Sequence, residues 1–266
     1  MEVIKWEEKV IDKLEVCQFD MARWITGARK FCARVALLAE LGWETIRMKI
    51  WKAKLKYYGR ICFMEEERWV KCTIIDSAKE GWKCGWVKEL DFIREKLGGV
   101  NLVGVKNFVE WKKKCVKKIN EASEEKWRKD RMGMSSMLHY KEQYKAGSRR
   151  KAYIDGSEEA KEFFRIKTGC AVQKRGRQGY TQCRICNVPD NEIHRILYCA
   201  GGVISRQECG LSEIIGQERR EGLTDVEIMG KLSVGDKREC LKKGGWYMKM
   251  KEEREEICKN LEAIHE

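Results

Sequence analysis

Cys183, Cys186, His194 and Cys199 form the pattern C-x2-C-x7-H-x4-C. Two thiolates separated by two residues can reach one metal ion from a single backbone turn. An imidazole and a third thiolate shortly afterwards can close a tetrahedron. Three sulfurs and one imidazole suit Zn2+, which imposes no d-electron geometry and undergoes no redox change. Four protein ligands leave no open position, so the expected site is structural and not catalytic. Pro189 and Asn191 lie in the seven-residue loop, where the chain must turn between the two ligand pairs. With thirteen cysteines in the chain, an isolated C-x2-C pair carries little weight. The signal comes from the histidine: only three are present, and one falls between the pair and a third cysteine at ligand spacing. Cys170 and Cys209 flank the motif as competing ligands, whereas His139 and His265 have no metal partner at sensible spacing.

A basic segment precedes and enters the motif: Arg165, Lys167, Lys174, Arg175, Arg177 and Arg184, with no acidic residue between Glu162 and Asp190. Lys145, Arg149, Arg150 and Lys151 lie just upstream. Tyr153 and Tyr180 are interleaved and are expected to stack on unpaired bases. Phosphates would supply most of the affinity of such a surface for RNA.

Composition agrees with a polyanionic partner and bounds the rest. The chain has 266 residues, 43% of them apolar and 36% charged, with a formal charge of +13. That is too apolar for a disordered tail and too polar for a membrane protein. No run of about 18 apolar residues exists, and the first residues carry no apolar core of a signal peptide. The odd number of cysteines argues against a secreted disulfide scaffold and for a reducing, intracellular compartment, nucleus or cytoplasm. The lone cysteines Cys17, Cys32, Cys62, Cys72, Cys84, Cys115, Cys240 and Cys258 read as small core residues.

The elements that must position the motif read as helix after helix, and the single proline, Pro189, fits that. Residues 2–25 read as amphipathic helix, and Phe31 to Leu41 as a second stretch stopped by Gly42. Between Glu44 and Glu66, Met48, Trp51, Leu55, Tyr58 and Cys62 recur at steps of three and four and form one stripe, with Lys49, Lys52, Lys56 and Arg60 opposite. Trp69, Trp82, Trp86, Phe92 and Leu97 are the expected core of residues 67–98. From Lys106 to about Tyr144, Phe108, Val109, Val116 and Ile119 are expected to face inward. Ser157 before Glu158-Glu159 reads as a helix N-cap. The last helix is expected to present Met250, Ile257, Leu261 and Ile264. The expected fold is mostly α, an irregular multi-helix bundle with a small CCHC zinc knuckle. Its expected regions are 1–98, 99–160 (basic and helical) and 161–266 (knuckle and C-terminal helices), with Gly98-Gly99 as the linker.

Three stretches carry a family resemblance. One runs from Lys13-Leu14-Glu15 to Arg60, notably Leu38-Ala39-Glu40-Leu41-Gly42-Trp43 and Lys54-Leu55-Lys56-Tyr57-Tyr58-Gly59-Arg60. The second is Phe164-Arg165-Ile166-Lys167-Thr168-Gly169-Cys170, and the third is the cysteine–histidine motif with its long loop. Together, over about residues 10 to 250, they resemble the C-terminal region of the reverse transcriptase of non-LTR (LINE-type, jockey-like) retrotransposons, from the thumb-side helices to the CCHC knuckle. The resemblance implies zinc at Cys183, Cys186, His194 and Cys199. It implies that the basic stretch contacts template RNA or target DNA in target-primed reverse transcription, with a polymerase domain upstream or in trans. The chain departs from the family's polymerase, because it contains no Asp-Asp pair to hold two metal ions. After Asp190 no acidic residue is followed two positions later by Lys, so a restriction-like nuclease is not expected either. The expectation is a non-catalytic module that binds nucleic acid, element RNA foremost, and no membrane. The alternative is a helical protein-interaction scaffold in which zinc is purely structural.

Overall fold

The computed structural model describes residues 7–79, 85–134, 140, 144–172 and 181–265. In chain order the helices are α1 (Glu8–Thr26), α2 (Arg34–Leu41), α3 (Ile46–Cys62), α4 (Trp69–Lys79), α5 (Gly85–Lys96), α6 (Phe108–Met132), α7 (Glu158–Lys167), α8 (Val203–Glu208), α9 (Leu211–Arg220), α10 (Asp225–Leu232) and α11 (Lys237–His265). A π-helical turn, His194–Tyr198, and a 3-10 turn, Ala200–Gly202, precede α8. Among the described residues there is no β-strand, only an isolated bridge between Gln182 and Pro189. The fold is thus mostly α, as the sequence predicts. Among the described residues no helix is long and apolar enough to cross a membrane.

The chain divides into two compact units, each discontinuous in sequence. The first comprises Met1–Phe19, Gly42–Asp130 and Tyr144–Ser148. Thr45 caps α3 by accepting from the Met48 N–H, in the usual N-cap role. From the stripe on α3, Met48 and Leu55 enter the core and Trp51 and Tyr58 pack against it, while Ile61 joins from outside the stripe; Trp86, Leu90 and Ile93 of α5 and Trp111, Cys115 and Ile119 of α6 complete it. Trp111 is fully buried, and its indole N–H donates to the Leu55 carbonyl at 2.7 Å. Gly59 makes room for that ring, since a Cβ there would lie 1.9 Å from Trp111 Cδ1. Burying one such side chain removes about 150–250 Å² from water, roughly 4–6 kcal/mol at about 25 cal/mol/Å². Lys54, fully buried on α3, is paired with Glu89.

Several expected core residues of this unit face solvent instead: Trp69 is 75% exposed, Val109 58% and Phe92 45%. On α6 the inward face is Trp111, Cys115, Ile119, Ser123 and Trp127, a strict four-residue repeat. Val109 lies two residues before it, about 200° around the axis. The lysines on α3 are not a uniformly wet face either, because Lys52 is largely buried between Glu44 and Asn120. Gly98-Gly99 ends α5 and lies inside the unit. Cys17 and Cys72 are exposed rather than core, and Cys84 and Trp82 lie outside the described residues.

The second unit comprises Asp20–Leu41, Arg131–Gln143 and Arg149–Glu266. Its spine is α11 packed along α7. Gly244 permits the close approach: a Cβ there would lie 2.0 Å from the Glu159 carbonyl oxygen. Ser157 caps α7 by accepting from the Ala160 N–H, as expected. The apolar contents are Ala160, Phe163, Phe164 and Ile166 from α7, nearly all of α2, and Cys240, Tyr247 and Met250 from α11. The stripe expected on α11 is therefore displaced toward its first half, and Leu261 is 37% exposed.

Candidate metal centre

The cysteine–histidine motif lies wholly in this second unit and is built from three short pieces of backbone. Thr181 to Asp190 doubles back on itself: the Asp190 N–H donates to the Thr181 carbonyl and the Cys183 N–H to the Val188 carbonyl, both at 2.7 Å. The Asn187 N–H closes the turn on the Cys183 carbonyl at 2.8 Å. Asn187 has φ 53°, a left-handed conformation that asparagine tolerates better than most residues. Pro189 sits where no N–H is needed for this ladder. The π-turn then presents His194, held by its own N–H on Asn191 Oδ1 at 2.8 Å. The Cys199 N–H returns to the His194 carbonyl at 2.7 Å, an i→i+5 bond. Cys199 leads into the 3-10 turn. Gly201 there passes so close to Ile185 that a Cβ would lie 2.3 Å from its Cδ1.

These pieces bring one ligand atom from each of Cys183, Cys186, His194 and Cys199 within 4.8 Å of all the others. Sγ of Cys199 lies 3.8 Å from that of Cys183 and 3.9 Å from that of Cys186. Those separations are far too long for disulfides, for which about 2.05 Å is required, and all described cysteines are free. Nε2 of His194 is buried and has no hydrogen-bond partner. A buried nitrogen with nothing to bond costs about 1–3 kcal/mol. A cation shared with three sulfurs removes that cost, so this Cys3His group can hold a metal ion.

The surroundings favour thiolate at Cys183 and oppose it at Cys199. Burial pushes the Cys183 thiol up. The N–H groups of Cys186 and Ile185, the His194 ring and the Arg254 guanidinium outweigh it and bring the thiol down to about 6. Burial holds the Cys199 thiol up at about 12, next to the charge of Cys183. The Ala200 N–H donates to Cys186 Sγ at 3.2 Å. Outside the sulfurs, Arg254 of α11 reaches both Cys183 Sγ at 3.5 Å and Asp190 at 2.9 Å. Arg195 forms a two-pronged pair with the same Asp190. Burial raises the Asp190 carboxyl, but these two guanidinium groups overcome it and hold the group below its usual range. Arg206 donates to the Cys199 carbonyl at 2.7 Å. Such outer partners fix first-contact side chains in place.

The residues expected to bind nucleic acid are distributed unevenly. Arg184 is exposed and paired with Glu262. Arg165 is partly buried between Glu162 and the Gly27 carbonyl. Lys167 is not at a surface. It is 3% exposed, and its ammonium lies 3.0 Å from the fully buried carboxylate of Glu40. Tyr153 is likewise 3% exposed and donates to Glu40 at 2.6 Å, so it stacks on no base. Both are turned inward because Glu40, brought from α2, must be neutralised where it is buried. Lys174, Arg175, Arg177 and Tyr180 lie outside the described residues, as does His139. Cys170 and Cys209 are not among the converging ligands. Sequence reasoning missed Arg195, Arg206 and Arg254, of which only Arg195 could have been noticed, five residues from Asp190. Comparison with protein-family models, with curated proteins and with solved structures finds no match for the chain.

Proposed function

We propose that this chain is a non-catalytic, zinc-organised module that binds nucleic acid, RNA foremost. We also propose that it corresponds to the C-terminal region of a LINE-type reverse transcriptase, holding template or target in target-primed reverse transcription. One observation carries the zinc part. With Zn–S near 2.3 Å, a tetrahedral site has sulfur–sulfur edges of about 3.8 Å, and Cys199 Sγ lies 3.8 and 3.9 Å from those of Cys183 and Cys186. Cys183, Cys186, His194 and Cys199 would hold the ion, and bound zinc would supply a covalent-strength staple between the 181–190 turn and the π-turn. The side chains then need no further chemistry: Arg254 and Arg195 orient the turn through Asp190, and exposed cations of the unit are fixed relative to one another. The formal charge of +13 suits a phosphate partner. Two of the stretches that carry the resemblance, 38–43 and 164–170, meet in the buried Glu40–Lys167 pair, so they act in one core.

The test has two parts. Purified chain is expected to contain one zinc per molecule by elemental analysis, and a strong chelator should remove it. Near-stoichiometric absence of zinc after preparation with zinc present would refute the metal assignment. Affinity for single-stranded RNA, measured at two salt concentrations, should fall steeply as salt rises. Weak binding at both concentrations would leave the protein-interaction scaffold with structural zinc as the better reading.

A further inference from the structure

Beside the metal centre, the 181–190 turn, the π-turn and α11 border a groove of about 620 Å³. Its cationic lining is Arg29, Arg184, Arg195, Lys251, Arg254 and Lys259, opposed by three carboxylates, Asp190, Glu255 and Glu262. The charges are not equally committed. Asp190 is engaged by Arg195 and Arg254, and Glu262 faces Arg184 in an exposed, hence weak, pair. Arg29, Lys251 and Lys259 are exposed, and among the described residues no carboxylate lies within ion-pair distance of them, though Lys251 is close enough to Glu158 to act on its charge. On α11 the lining positions 251, 254, 255, 258, 259 and 262 recur at steps of three and four, so they form a single helix face.

Unmet donors lie in a cavity next to this groove, which also holds the carboxylate of Glu162. A smaller cavity of about 30 Å³ shares Arg29, Arg195, Lys251 and Arg254 with it and is also lined by Tyr247. Tyr247 is 3% exposed and its hydroxyl has no hydrogen-bond partner; neither has the buried Nε of Arg254. An O–H and a guanidinium N–H left unpaired beside excess positive charge match the acceptor oxygens of an anion.

We infer that this groove seats the sugar–phosphate backbone of a single-stranded nucleic acid. One phosphate lies over Arg29, Arg254 and Tyr247, and the next ones follow the α11 face toward Lys259. The inference rests on the nucleic-acid reading above and adds the α11 face and Arg29 to Arg184 of the 165–184 segment. Length favours a strand over a free phosphate. From Lys251 to Lys259 the helix rises about 12 Å, several nucleotides of a stacked strand at about 3.4 Å each. Among the described residues no aromatic ring lines the open groove, so bases are not stacked there. Contacts to the backbone alone make binding indifferent to base sequence.

The experiment uses the full-length, zinc-loaded chain and a fluorescein-labelled oligouridylate, followed by anisotropy across a salt series. Lys251→Glu with Lys259→Glu is expected to weaken binding at least about tenfold and to flatten the salt slope by about two phosphate contacts. Arg29→Glu, on a different element, should weaken it in the same direction. Zinc content and helicity should be unchanged in both. Lys112→Glu with Lys113→Glu, the same charge change on α6, should cost less than the α11 pair. If wild type binds and the groove variants bind equally well, the groove is not the seat, while the nucleic-acid reading stands. If the α6 pair costs as much, the attraction is diffuse and the groove assignment fails. If inorganic phosphate at matched phosphate concentration displaces the strand, the site is a free-phosphate pocket and not a strand seat. If wild type does not bind at low salt, both readings fall together.

Discussion

At Glu40 the carboxylate accepts from the hydroxyls of Tyr140 and Tyr153, each at 2.6 Å, and from Lys167 at 3.0 Å. The Lys167 ammonium in turn lies 5.3–6.0 Å from the ring centres of Tyr153, Tyr140 and Phe163. At the cysteine–histidine turn, in the same unit, four ligand atoms converge within 4.8 Å of one another, yet Nε2 of His194 has no partner at all. Both places are buried and both gather ionisable groups. Burial raises the Tyr153 phenol far above its usual range, helped by the Glu40 charge, and no chemistry follows, because the proton has nowhere to go. What separates a binding site from a structural knot is thus the balance of donors and acceptors. In the Glu40 cluster donors meet acceptors, whereas the turn leaves the His194 Nε2 unmet among three sulfurs, a set that can hold a cation.

The largest effect that would sharpen this contrast is removal of the ion. Cys199→Ser, or chelation of the wild type, is expected to abolish amide-exchange protection over 181–202 and to lower the melting temperature sharply. Structural zinc in small zinc-binding peptides contributes about 10 kcal/mol or more to folding. Retained protection without metal would mean that the turn stands by itself. Next comes Glu40→Leu, which leaves Lys167 charged and buried with no counter-ion. A loss of about 3–5 kcal/mol is expected in denaturant melts, with only part of it recovered in Glu40→Leu/Lys167→Met, because the Tyr140 and Tyr153 hydroxyls still lack their acceptor. Failure of the double variant to recover would show that the carboxylate does more than balance charge.

The smallest effect lies away from both clusters and tests whether exposed pairs matter. The Ser157 hydroxyl, the Ser157 N–H and Lys237 hold the Asp155 carboxyl down at about 2, against 3.8 ordinarily. Its folded-state pKa is depressed, so its contribution is present above pH 3.8 and disappears as pH falls toward about 2. Asp155→Asn should therefore lower stability slightly at pH 6 and not at pH 2, read as the difference between the two acid-unfolding curves.

What could be read from the sequence follows the distance between partners. Cys183, Cys186, His194 and Cys199 lie within seventeen residues, and local turns suffice to bring them together, so spacing alone pointed to the convergent group. The α3 stripe and the Ser157 cap were equally local. Lys167 was misread because its partner stands 127 residues away, and nothing near it in the chain says that it is buried. Tyr153 failed for the same reason. Lys251 and Lys259 carry no signal in the sequence. They acquire meaning only beside Arg29 and the turn, which reach them through the fold. Trp69, Phe92 and Val109 show the opposite error, in which bulk and apolarity were taken for burial although the helix face pointed outward.

The wide turn between His194 and Cys199 has a consequence for how such motifs are spelled. An i→i+5 bond closes one revolution with an additional residue, so two side chains five positions apart end on one side of the axis. In an ordinary α-helix that place belongs to a pair four apart. Winding and spelling are thus interchangeable at this corner. A relative that dropped one residue between the two ligands and tightened the coil would grip the same ion, although a pattern written with a fixed gap would pass over it.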